Sequence, residues 1–362
     1  MYKRNRNLFS LVAVLLTAGV ITGIGGVALF LANQVVGTPR LPSRVVEETA
    51  LPTDATATIG RHAATVLKVD AADQSPIIAS GSYANTAKLW NRFEPASVRS
   101  LPHSGRVNDL VFTPNGQHLV TGSGAGNLKF WNLGSNQLDK AIAAKSGRIT
   151  SVAVDGSSQL IASGSSNGTL KIWDVSAAPL SQGSPVTSKT LANVGPQLNA
   201  LTFHPTDSNL LISGDQDGVV RLWDLAQGEV IVTLEDDADR IVSVDISNNG
   251  QYVACGSYDQ SIRIWDIETG DRIQKIDGHA FTVADVSFSP DSSLLASASY
   301  DESIKVWNWA NAQELCTLSG HSGFVYTVMF ADSGNTLVSG GYDGTVRAWD
   351  LTSATHQRCL NL

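Results

Sequence analysis

Ser, His and Asp, the residue types of a nucleophilic triad, recur together twice near the C-terminal end of this 362-residue chain. The sets are His279, Ser297 and Asp301, then His321, Ser339 and Asp343. Histidines at the same interval, His62 and His103, extend the series and invite a metal reading, but a fixed long period places each histidine in a different structural unit. No His–Cys cluster has ligand spacing. The "DQDG" of Asp215–Gly218 begins like a calcium loop, yet the twelfth position, which should be acidic, is Ala226. "GIGGVA" at Gly23–Ala28 imitates a dinucleotide fingerprint inside an apolar run, and "GSGAG" at Gly122–Gly126 lacks the Lys-Ser/Thr of a phosphate loop. The three cysteines, Cys255, Cys316 and Cys359, give no disulfide framework. The first two fall in strand-like runs and are expected as small core residues. None of these patterns predicts a catalytic centre, a metal or a cofactor.

What positions the Ser–His–Asp sets is a repeat. Trp90, Trp131, Trp173, Trp223, Trp265, Trp307 and Trp349 are spaced by 41, 42, 50, 42, 42 and 42 residues. The long step holds an insertion between Val175 and Leu198, expected as a surface loop. Ten residues before each tryptophan stands Ser80, Thr121, Ser163, Ser213, Cys255, Ser297 or Ser339. Six before stands Asp217, Asp259, Asp301 or Asp343 in the last four units, and Ala84, Ala125 or Asn167 in the first three. "SIRIWD" puts Ile262 and Ile264 on one face of a strand and Arg263 and Trp265 on the other. "NG", "DG" and "DE" pairs mark tight hairpins, with a two-residue turn at Asn167. That turn accounts for the glycosylation-like "NGT" without a sugar. Each unit therefore predicts about four short strands.

These registered copies, with "IWD", "LWD" or "VWN" closing the third strand, resemble the WD40-repeat beta-propeller family over about residues 57–352, in a bacterial type with an N-terminal membrane anchor. The resemblance implies an all-β, seven-bladed propeller over residues 55–355. It also implies that His279, Ser297, Asp301 and Trp307, and likewise His321, Ser339, Asp343 and Trp349, are structural hydrogen-bonded tetrads. In units one to five, which lack a clean Gly-His pair, the His-centred bonding is expected to be weaker or absent. A segment near Ala55–Ile59 is expected to supply the outer strand of the last blade, beside Gly344–Asp350.

The N-terminus is a different material. After a short basic tail (1–7), Leu8–Ala32 carries no charge. Twenty-five helical residues reach about 37 Å, enough to cross a bilayer core, and the run is long for a cleaved signal peptide. A single transmembrane helix is expected, followed by a linker (33–54). The slight Lys/Arg bias puts the N-terminus in the cytoplasm and the propeller in a periplasm or lumen. Gly19 and Gly23 form a GxxxG pair that allows weak helix dimerisation. Net charge is −8, and the chain after residue 50 holds 20 basic and 31 acidic residues, which argues against nucleic acid.

Residues that the repeat does not explain carry the functional reading. Tyr83, Tyr258, Tyr300 and Tyr342 stand directly before the turn Asp or its replacement. Arg106, Arg148 and Arg240 sit in the loops leading into each first strand, with Phe324, Tyr326 and Asp285 in equivalent regions. In the resembled family these slots are partner contacts, and Tyr and Arg are interface anchors. The expected function is a membrane-anchored, non-enzymatic scaffold that binds a protein or peptide through one rim. The alternative is a propeller enzyme, or a ligand- or metal-binding protein, using the central channel near Asp109 and Asp285.

Overall fold

The computed structural model describes residues 56–72, 75–176, 180, 186–236, 238–353 and 355–360. The apolar run Leu8–Ala32, the linker 33–54 and the Gly19/Gly23 pair lie outside the described residues. Among the described residues no helix is long and apolar enough to cross a membrane.

Seven four-stranded antiparallel sheets follow one another in chain order. The inner strands are Val66–Ala71, Val107–Phe112, Ile149–Val154, Leu198–Phe203, Ile241–Ile246, Val283–Phe288 and Val325–Ala331. Each touches the inner strands of both neighbours, and the seventh touches the first, so the blades form a closed ring. Six blades are continuous in sequence. The seventh takes its outer strand, Thr56–Arg61, from the other end of the chain, paired antiparallel with Thr345–Asp350 from Thr56↔Trp349 to Arg61↔Thr345. The latch therefore forms as expected, displaced by one or two residues.

The seams between blades are glycine seats filled by branched side chains. The second strand carries Gly81, Gly122, Gly164, Gly214, Gly256 or Gly340, with Ala298 in the sixth blade. A Cβ at Gly214 would come within 2.5 Å of Ile241 Cγ2, and one at Gly340 within 2.3 Å of Val66 Cγ1. Ile241 and Val66 begin the next blade's inner strand and are fully buried.

A second set of ties runs around the channel. An inner strand has a sheet partner on one side only, so its other edge presents backbone N–H groups that need acceptors. Side-chain oxygens of the preceding blade supply them. Val152 N–H donates to Asp109 Oδ2 (2.8 Å), Leu201 N–H to Ser151 Oγ (3.1 Å) and Val286 N–H to Ser243 Oγ (3.3 Å). Val328 N–H donates to Asp285 Oδ2 (3.2 Å), and Val69 N–H to Thr327 Oγ1 (3.2 Å), which closes the circle. Two residues along, Phe112 N–H donates to Asp70 (2.6 Å) and Phe288 N–H to Asp245 (2.7 Å). Burial pushes the Asp70 and Asp245 carboxyls up to about 7, in spite of these bonds.

The tetrads are complete in the last two blades. Trp307 Nε1–H donates to Ser297 Oγ (2.8 Å), which lies 2.7 Å from His279 Nε2, and His279 Nδ1 lies 2.8 Å from Asp301. Ser339, His321 and Asp343 repeat the chain behind Trp349. The first two blades correct the expectation of weak or absent bonding. His62 Nε2 lies 2.7 Å from Ser80 Oγ, and His103 Nε2 2.8 Å from Thr121 Oγ1. Where Asp is missing, Thr86 Oγ1 and the Leu101 carbonyl take the other ring nitrogen. Blades three and four retain only Trp173–Ser163 and Trp223–Ser213 (2.8 Å each). In blade five, Cys255 replaces the hydroxyl, and the buried Arg263 binds Asp259 (2.8 Å) and Asp236 (3.2 Å).

Three further expectations change. In six blades the turn between second and third strands has three residues, such as Ser166-Asn167-Gly168, and in blade four it has four (216–219); the position after the turn Asp or its replacement adopts positive φ (Gly168 +79°, Gln260 +76°). The stretch after Val175 contains the blade's outer strand, Thr187–Asn193, as well as a loop. Cys316 is not a free core thiol. It forms a disulfide with Cys359, Cα–Cα 5.1 Å, which ties the C-terminal tail to the outer strand of blade six, Gln313–Ser319. Cys255 alone is free and buried, as expected.

Gly214→Ala overfills the seam between blades four and five and should cost about 1–3 kcal/mol, measured by urea unfolding. The channel carboxyls give a pH signature. Asp245 ionises near 3.8 when free and near 7 in the fold, so the folded state holds its proton longer. Its contribution to stability then falls as pH rises from about 4 to about 7. Asp245→Asn removes that dependence, and its stability relative to the parent should improve steadily from pH 5 to pH 8, read from melting temperatures.

Candidate partner-binding rim

The three-residue turns and the loops between a blade's outer strand and the next inner strand lie side by side. Backbone bonds such as Tyr258 N–H to Arg240 O (2.9 Å), Tyr300 N–H to Thr282 O (3.0 Å) and Tyr342 N–H to Phe324 O (2.8 Å) lock each turn to its neighbouring loop. The residue before the turn Asp is thereby fixed beside the residue before the inner strand. Tyr83, Tyr258 and Tyr342 stand 55%, 50% and 60% exposed.

The aromatic residues form an arc over blades five, six, seven and one. Tyr300 stacks on Phe324 (4.9 Å between centroids, 20°) and meets Tyr326 at 5.1 Å, while Phe324 meets Tyr342 at 6.2 Å. The Arg240 guanidinium lies 5.4 Å over Tyr258, and that of Arg106 5.1 Å over Tyr83. Burial and the neighbouring Tyr326 and Tyr258 phenols raise the Tyr300 pKa. Burial, with Tyr342 and Tyr83, raises that of Tyr326. Tyr258, Tyr300 and Tyr326 line the mouth of the channel. Arg148 is exposed on the same rim. Phe281, 60% exposed, belongs to this surface through its loop, whose carbonyl accepts from Ser299 Oγ (3.2 Å). It went unread in the sequence because only positions adjoining the turn Asp or the inner strand were taken, although an apolar residue in a polar loop was a usable signal.

Asp285 departs from the rim reading. It is buried in the channel wall and accepts from Ser243 Oγ (2.6 Å), Val328 N–H and the Lys68 ammonium (3.1 Å). It points at the axis because it occupies the tie position of the inner strand, so it cannot meet a partner laid on the rim. Lys68 is the cationic partner that sequence reasoning did not find for the two channel acids. Burial opposes its charge, but Asp285 and then Asp109 hold its pKa above the ordinary value.

The channel cavity is about 500 Å³, with Arg106, Arg240, Tyr258, Tyr300 and Tyr326 at its lining beside Lys68, Asp109 and Asp285. Its carboxylates are committed: Asp109 accepts from Leu110 N–H, Ser151 Oγ and Val152 N–H. Structural donors thus engage Asp109 and Asp285 in the ties between neighbouring blades. Among the described residues no group of three His, Cys, Asp or Glu is arranged to hold a metal.

Comparison with known proteins agrees with this architecture. Residues 54–91 and 312–350 match the WD domain, G-beta repeat, and such repeats typically build non-enzymatic interaction scaffolds. The target of rapamycin complex subunit wat1 of Schizosaccharomyces pombe (strain 972 / ATCC 24843) is 34% identical over 59 residues, 16% of this chain and 19% of that protein. The matched part is thus under a fifth of the relative's length. Residues 88–308 match the beta-propeller family described as nucleolar protein 10-like, N-terminal domain. That match takes in more than half of the chain, and the chain belongs to this family of WD-repeat propellers.

Proposed function

We propose that the protein is a membrane-anchored, non-enzymatic scaffold whose propeller holds a protein or peptide partner on the aromatic and arginine rim. The observation that carries this reading is the packed group of Tyr300, Phe324, Tyr326 and Tyr342, flanked by the exposed, arginine-capped Tyr258 and Tyr83. Large, low-entropy side chains around a concave mouth are what interface anchors require. The name of the yeast relative that matches over 59 residues, a complex subunit, agrees with an assembly role.

The uncharged stretch Leu8–Ala32 is the anchor in this reading, with the N-terminus in the cytoplasm and the propeller in a periplasm or lumen. The disulfide supports that side, since such bonds persist in oxidising compartments. Gly19 and Gly23 offer a face for weak helix pairing.

Two measurements test these points. Replacing Tyr258, Tyr300 and Tyr342 together by Ala should leave a cooperatively melting propeller and abolish recovery of the partners cross-linked to the parent protein. Undiminished recovery removes the rim from the mechanism. Alkylation of denatured, unreduced protein taken from cells should modify Cys255 alone if the propeller matures in an oxidising compartment. Modification of all three cysteines places it on the reducing side.

A further inference from the structure

The rim is divided by charge as well as by aromaticity. Its turns and loops in the first three blades are residues 62–65, 83–85, 103–106, 124–126, 145–148 and 166–168, and they contain no Asp or Glu. They contain Arg106, Lys145 and Arg148. In this sector the repeat has lost its turn acid, which is replaced by Ala84, Ala125 and Asn167. The histidines do not add to the charge, since burial lowers His62 and His103 to about 4. Among the described residues no carboxylate pairs with Arg106, Lys145 or Arg148, in a chain with eight more acidic than basic side chains. Among the described residues, the loops of the fourth and fifth blades carry exposed acids, Asp217, Glu235 and Asp239, with Arg240 as the one exposed cation beside them.

An unpaired basic sector in an acidic protein attracts an anion, and stacking on Tyr83 orients the Arg106 guanidinium while leaving its N–H edge free for a carboxylate. The aromatic arc adjoins this sector at Tyr83 and offers apolar contact. We infer that the rim recognises an acidic peptide segment, its carboxylates on Arg106, Lys145 and Arg148 and a neighbouring apolar side chain on the aromatic arc. This rests on the rim reading above and names the chemistry of its partner. A polyanion such as nucleic acid fits less well, because a strand extended across the face meets the acidic loops of blades four and five, and the chain after residue 50 carries net −11.

The probe is a fluorescein-labelled dodecapeptide with four Glu followed by a Leu-Phe pair, compared with its Lys-for-Glu counterpart and a twenty-nucleotide single strand. Fluorescence anisotropy at low salt should show the Glu peptide binding at least tenfold more tightly than either. The Arg106→Gln/Lys145→Gln/Arg148→Gln variant, with its melting temperature checked, should lose tenfold or more and most of the salt dependence. Tyr300→Ala should weaken both peptides while the preference for Glu persists. Equal binding of Glu and Lys peptides, tighter binding of the oligonucleotide, or an unchanged affinity in the triple Gln variant overturns the inference. The rim reading falls separately, only if the tyrosine triple variant still recovers its natural partners.

Discussion

Closure depends on satisfying one edge of seven inner strands. Each blade buries its two faces against its neighbours, but the strand nearest the axis has no further strand to receive its N–H groups. Acceptors at a fixed position of the preceding blade, from Asp109 to Thr327, solve this in five of seven seams. The exceptions are informative. Ala200 has no acceptor to offer, and Lys68 offers a donor, which crosses to Asp285. A buried amide left without a partner costs about 1–3 kcal/mol, so these small side chains matter to closure more than their size suggests. The same oxygens engage side-chain donors, Ser151 on Asp109 and Ser243 and Lys68 on Asp285, so the ties form one network around the channel.

The recurring tryptophan has two supports, and blades use them in different proportions. In blades one, two, six and seven its indole N–H donates to a hydroxyl that a histidine holds in turn. A cation two residues earlier lies beside it in all seven: Lys88, Lys129, Lys171, Arg221, Arg263, Lys305 and Arg347. Lys88, Lys129, Lys171 and Lys305 sit 5.1–5.7 Å over the ring and reach polar oxygens beyond it, as Lys129 reaches the Pro102 carbonyl (2.7 Å). Where histidine is absent, as in blades four and five, arginine binds carboxylates instead: Arg221 pairs with Asp215, and Arg263 with Asp259 and Asp236. The tetrad is one of several ways of fixing the same indole, which is why its erosion in the early blades does not erase the fold.

The repeat was legible because its signals are local: Trp and Ser face each other across adjacent strands at a separation fixed by hairpin length. The rim tyrosines were legible for the same reason, since the residue before a turn is placed by that turn. Asp285 was misread because its position in the chain adjoins the rim, whereas a bulge between Val283 and Asp285 turns its side chain to the axis. Its partnership with Lys68 joins blades one and six and depends on the radius of the ring, which no local pattern encodes. The Cys316–Cys359 pair likewise depended on the path of the tail after the last strand. The row of cations before the tryptophans was visible in the sequence, but strand alternation alone gave it no partner.

The blade that closes the ring is assembled from both ends of the propeller segment, Thr56–Arg61 on one side and residues 325–350 on the other. Pairings of such long sequence separation form late, because loop closure must be met before the contact repays it. Until then Thr345–Asp350 is a bare edge, able to recruit a strand from another molecule. The Cys316–Cys359 link fixes the tail that follows this edge to the neighbouring blade six, so the last strand is tethered at its far end independently of the first strand.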